Sequence, residues 1–98
     1  MEQARNLVLD EACFENIEQV HSFLARELGF PEYYGCNLDA LYDCLTDLGE
    51  DTVIRVKRSS RRTRKPWFSK IITVVRDAAD ESSMLEFALV RSRDEPSS

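Results

Sequence analysis

With 98 residues, 43% of them hydrophobic and 32% charged, and only three Gly and three Pro, the chain has the balance of one ordinary globular domain and is too short for two cores. It has no apolar run near 18 residues and no basic-then-apolar start, which argues against a membrane span or a secretory leader and predicts a cytoplasmic protein. The formal charge of −5 hides a separation of sign. Residues 55–65, RVKRSSRRTRK, hold seven of the 13 basic residues and no acid, leaving 18 acids against six bases elsewhere, a formal −12.

In chain order, Asn6–Asp10 (NLVLD) is an apolar run of strand length that Asp10 and Glu11 end. Ile17, Val20, Phe23, Leu24 and Leu28 then recur at helical spacing, which predicts an amphipathic helix over residues 16–28 with Gly29 as its stop. His21, the lone histidine, lies on that helix beside polar neighbours and reads as solvent-facing or structurally satisfied rather than catalytic. Phe30 and Pro31 impose an extended exit, because the residue before a proline avoids helical dihedrals. Tyr33, Tyr34 and Gly35 form the approach to a second helix, with Gly35 expected to supply backbone freedom and Asn37 the N-cap.

The second helix is the distinctive stretch. From Asn37 at about 100° per residue, Asp39, Asp43 and Asp47 fall on one side and Leu38, Leu41, Leu45 and Leu48 on the other. No Lys or Arg lies between Arg26 and Arg55, so Glu32, Asp39, Asp43, Asp47, Glu50 and Asp51 have no basic residue among them. Like charges four apart cost about 0.2–0.5 kcal/mol per pair, and only Asp39, in the first turn, gains from the helix dipole. Helix stability alone does not select this stripe. A solvated acidic face is the plain alternative.

Gly49 is expected to close that helix, and Thr52–Lys57 (TVIRVK) alternates as a second strand, leading into the basic loop. Pro66 opens a third helix running to Asp80, with Trp67, Ile71, Val74, Val75 and Ala78 as its apolar face. Met84–Arg91 reads as a third strand that turns Phe87, Leu89 and Leu85 to the core. Residues 1–91 thus form one domain, and the polar tail 92–98 is expected to be disordered. Helical connections between strands return the chain in the same direction, so the order predicts an α/β fold with a compact three-stranded parallel sheet packed with helices. The three cysteines, Cys13, Cys36 and Cys44, make an odd count without a CxxC pair, which fits a reduced compartment and offers no metal set; Cys44 falls toward the packed side of its helix, and Cys36 precedes it in a loop.

The run PEYYG, Pro31–Gly35, followed after one residue by NLDALYDCLT, Asn37–Thr46, resembles the barstar family of ribonuclease inhibitors and toxin immunity proteins. The order of elements is similar across most of the chain. The resemblance implies that family's α/β sandwich, no catalytic residues, no cofactor and no metal. It also implies a 1:1 complex between a monomer and a secreted or toxin bacterial ribonuclease with a basic active site, without direct contact to nucleic acid or membrane. Asp43 would then enter the phosphate-binding centre and Asp39 pair with a flanking Arg or Lys. Tyr33, Gly35, Asn37, Tyr42 and Thr46 align with positions framing that contact, and Asp77 and Glu81 with two glutamates on the last helix. Tyr42 replaces the family's Trp, and Asp77 is one methylene shorter than the family's Glu.

Two further readings compete. The loop 55–65 could hold phosphates, but it lacks interleaved aromatics for base stacking and the chain has the wrong net sign for a nucleic-acid-binding protein. Asp39 and Asp43 could serve as acid and base, but the sequence offers no nearby His, no Gly-rich phosphate loop and no cysteine paired to a base, so no enzyme is expected.

Overall fold

The computed structural model describes residues 4–91. The tail expected over residues 92–98 lies outside the described residues. Strand β1 (Arg5–Asp10) leads through a 3-10 turn to α1 (Ile17–Leu28) and α2 (Leu38–Thr46), then to β2 (Thr52–Arg58), α3 (Pro66–Glu81) and β3 (Leu85–Arg91). The strands pair in parallel in the order β1-β2-β3. This is the α/β architecture that the alternation of strand and helix predicts.

Each strand turns one face to the helices. Leu7 and Leu9 of β1, Ile54 and Val56 of β2, and Leu85 of β3 pack against Val20 and Leu24 of α1, Leu41 and Leu45 of α2, and Phe68, Ile71 and Val75 of α3. The opposite sheet face carries exposed Arg55 and Glu86, with Val8 48% exposed. A parallel sheet is usually covered on both faces. Here the two-residue alternation in TVIRVK already marks a sheet covered on one.

The helix ends follow local chemistry. Asn16 Oδ1 accepts from the Gln19 N–H at 3.0 Å and caps α1. Gly29 ends it in the left-handed conformation, φ 69°, while the Phe30 N–H reaches back to the Ala25 carbonyl at 3.0 Å. Pro66 occupies the first turn of α3.

Several expectations need correction. Gly49 does not close α2, which ends at Thr46 with Asp47 as its C-cap; the Asp47 N–H donates to the Asp43 and Cys44 carbonyls, so the last turn is satisfied before the glycine is reached. The core stripe of α3 is Phe68, Ile71, Ile72, Val75 and Ala78, with Trp67 and Val74 half-buried on its flank. A run apolar on two adjacent rows does not reveal which row faces inward. Leu89 is 55% exposed although its partners in the row, Leu9 and Val56, are fully buried and Leu85, at the other end of the same strand, is 5% exposed. The basic run is also not one loop: residues 55–58 belong to β2, and only the segment from Ser59 to Lys65 leaves the sheet.

Candidate functional site

The acidic stripe is exposed as its spacing predicts. Asp39 and Asp43 on α2 and Asp47 at its C-cap all face solvent, while Leu41 and Leu45 on the opposite side are fully buried. Among the described residues none of these three carboxylates forms an ion pair, in contrast to Glu50, which meets Arg5 at 3.0 Å. Helical spacing sets neighbouring carboxylates about 5–6 Å apart.

The N-terminal end of α2 is built by Asn37, whose Oδ1 accepts from the Ala40 N–H at 2.7 Å. Gly35 serves this cap through size. A Cβ at Gly35 would lie 3.0 Å from Asn37 Nδ2, so a side chain there would push on the capping amide. The backbone freedom expected of Gly35 falls instead on Cys36, whose φ of 52° is the left-handed conformation. A turn closed by the Tyr34 N–H on the Pro31 carbonyl, at 3.0 Å, sends the two tyrosines in opposite directions. Tyr33 is 87% exposed, whereas Tyr34 is half-buried against Phe30, with ring centroids 4.9 Å apart.

The nine predicted residues fall into three groups along α2 and the segments beside it. Tyr33, Asp43 and Thr46 line an open groove between the Pro31–Cys36 loop and the C-terminal half of α2, with Asp47 beside them. Asn37 and Asp39 border a shallow cleft between α1 and the start of α2, next to Gly35. Tyr42, half-buried, looks across to α3. Burial pushes its hydroxyl above the ordinary tyrosine range, reinforced by the charges of Glu81, Asp77 and Asp43. The charges of Asp77 and Glu81 reach Tyr42 across the seam where α2 packs on α3. The Thr46 hydroxyl donates to the Asp43 carbonyl at 3.1 Å, which fixes its rotamer in the last turn.

Cys44 is half-buried beneath the stripe. Its thiol is pushed up by burial and then by the charges of Asp43 and Asp47, the opposite of an activated nucleophile. Among the described residues no group of three or more His, Cys, Asp or Glu is placed to hold a metal ion, and no helix is long and apolar enough to cross a membrane.

The partners of two residues escaped the sequence. Glu11, read there as a strand terminator, is fully buried, and its carboxylate accepts from Arg58 Nε at 3.2 Å, the Ser59 N–H at 2.9 Å and the Lys65 N–H at 2.5 Å. It thereby removes Arg58 from the free charge of the basic run and pins both ends of the segment that follows β2. An acid directly after an apolar strand is too common to signal this. His21 is the other: it is 1% exposed and hydrogen-bonded through Nδ1 to the Tyr34 hydroxyl at 2.5 Å, which decides between the two roles open to it in favour of a satisfied structural histidine.

Fold and face together define a small parallel α/β protein whose distinctive surface is an exposed carboxylate helix. Residues 4–92 match the family model described as Barstar (barnase inhibitor), and the chain belongs to that family. It is also 39% identical over 80 residues, 79% of this chain and 88% of the relative, to a Bacillus subtilis (strain 168) protein named "Putative ribonuclease inhibitor YrdF".

Proposed function

We propose that this protein is a bacterial ribonuclease inhibitor of the immunity type, acting in the cytoplasm as a monomer that forms a 1:1 complex with a secreted or toxin nuclease. Family membership supports the class of partner. The observation that carries the mechanism is the row of exposed carboxylates on α2 with no cation of its own. A site that binds RNA is lined with Lys, Arg or His to hold phosphates. A rigid helix bearing carboxylates at phosphate-like intervals occupies such a site as a plug, and inhibition requires complementarity without chemistry.

In this reading Asp43 enters the phosphate-binding centre and Asp39 pairs with a flanking cation. Tyr33 supplies a rigid exposed surface, Thr46 and Asn37 frame the contact, and Gly35 leaves room for the capping amide. Tyr42, Asp77 and Glu81 extend the face across the seam with α3. The shorter Asp77 and the substitution of Tyr42 for the family's Trp suit a nuclease surface different from that met by other family members.

The test is inhibition of a panel of guanyl-specific and toxin-type bacterial ribonucleases by wild type and by Asp43→Ala. Loss of one fully desolvated charge pair weakens binding at least tenfold, about 1.4 kcal/mol or more, with unchanged unfolding. Unaltered calorimetric affinity in Asp43→Ala would remove Asp43 from the mechanism.

A further inference from the structure

Two adjacent tyrosines do different work in the segment between α1 and α2. The Pro31–Tyr34 turn presents Tyr33 to solvent and turns Tyr34 inward, where its ring meets Phe30 and its hydroxyl meets His21 Nδ1 at 2.5 Å. His21 lies on α1 with Val20 and Leu24, all three essentially without exposed surface. The same imidazole borders the cleft formed with Cys36, Asn37, Leu38 and Asp39. One buried side chain therefore hydrogen-bonds the segment that displays Tyr33 and lines a cleft shared with the start of the acidic helix.

This segment needs holding. It contains Cys36 in the left-handed conformation, which a non-glycine residue adopts at a cost, and Pro31, Glu32, Tyr33, Gly35, Cys36 and Asn37 are all exposed. Its own backbone closes only the Pro31–Tyr34 turn before the Asn37 cap is reached. Tyr34 is thus the one side chain of the segment anchored in the interior, and His21 is the polar group that receives it.

We propose that His21 is a positioning residue for partner recognition: through its hydrogen bond to Tyr34 it holds the Pro31–Cys36 segment in the shape that presents Tyr33 beside Asp39 and Asp43. The inference rests on the function proposed above and adds to it a residue that touches no partner. Burial, with Glu18 opposing it, keeps the imidazole pKa below its ordinary value and the ring neutral, so one nitrogen can accept the phenolic proton. A segment released from this bond samples other shapes, and the apparent affinity falls by the fraction that remains competent. The loss appears in the association rate, because the complex once formed holds the segment in place.

The experiment compares Tyr34→Phe, His21→Leu, His21→Asn and the Tyr34→Phe/His21→Leu double variant. Asn keeps a polar atom near the position of Nδ1. The first readout needs no nuclease: amide hydrogen exchange at Tyr34, whose N–H closes the turn on the Pro31 carbonyl, should quicken about three- to tenfold in Tyr34→Phe and His21→Leu, with α3 amides unchanged and His21→Asn close to wild type. Uniform acceleration along the chain, or none, would overturn the proposal. The second readout is association with a nuclease that wild type inhibits. The two single variants should each associate about three- to tenfold more slowly, and the double variant no more slowly than either. Rates equal to wild type, or fully additive losses, would equally overturn it. Altered exchange together with no nuclease bound by wild type would leave His21 holding the segment and strike down the proposed function instead.

Discussion

A carboxylate without exposed surface persists only if its lone pairs are met, and Glu11 shows how this is done with two backbone amides and one guanidinium. Burial alone would raise its pKa. The Lys65 and Ser59 N–H groups and Arg58 outweigh that effect and hold it below the ordinary value of 4.5. The unfolded chain then takes up the proton more readily, so the stabilisation is complete above about pH 4.5 and fades as pH falls through the folded-state value. Glu11→Ala, which strands the Arg58 charge and two amides, should cost about 3–5 kcal/mol in urea unfolding at neutral pH. Between about pH 5 and pH 3 wild type should lose more stability than Glu11→Gln, whose amide cannot titrate. Equal losses would mean that Glu11 does not carry the acid response. None of this was visible from EAC in the sequence, since Arg58 and Lys65 lie 47 and 54 positions away.

A helix of nine residues is too short to persist by propensity alone, so α2 depends on its leucine face and on its cap. Asn37→Ala removes the acceptor for the Ala40 N–H and should lower stability by about 1 kcal/mol, whereas Asn37→Ser, which retains a capping oxygen, should recover most of that loss. Urea midpoints read both. At this scale the sequence was highly legible. Caps, prolines and the leucine rows are local signals, and they placed the helices and strands within a few residues. The misreadings arose where local signals were degenerate. Gly49 stood near enough to the end of α2 to pass for its stop, and Trp67 and Val74 were as apolar as the Phe68 and Ile72 that the sheet selected.

Across the whole molecule the basic segment and the part of the acidic face carried by α3 lie toward opposite ends of that helix. The basic segment enters its N-terminus, and Asp77 and Glu81 lie in its C-terminal half. Its 16 residues span about 24 Å, three Debye lengths at physiological ionic strength. The exposed Arg62 and Arg64 are therefore screened from Glu81, at the far end of α3, in ordinary salt, and their field reaches it only when salt is low. Substituting both with Ala should leave the affinity for a cationic nuclease within about twofold at 0.15 M salt and speed association at about 0.01 M, where the Debye length reaches 30 Å. RNA retained by wild type and released by this variant would instead favour the basic segment as a nucleic-acid site.

By itself the sequence determined the elements, their order, the parallel sheet and the exposure of the carboxylate stripe, because each of these depends on spacing within a dozen residues. Only the tertiary structure decided which apolar row of α3 faces the sheet, that Leu89 stays in solvent at the edge, that Glu11 binds Arg58, and that His21 meets Tyr34. These contacts depend on which segments the packed core brings side by side, and no local pattern encodes that distance.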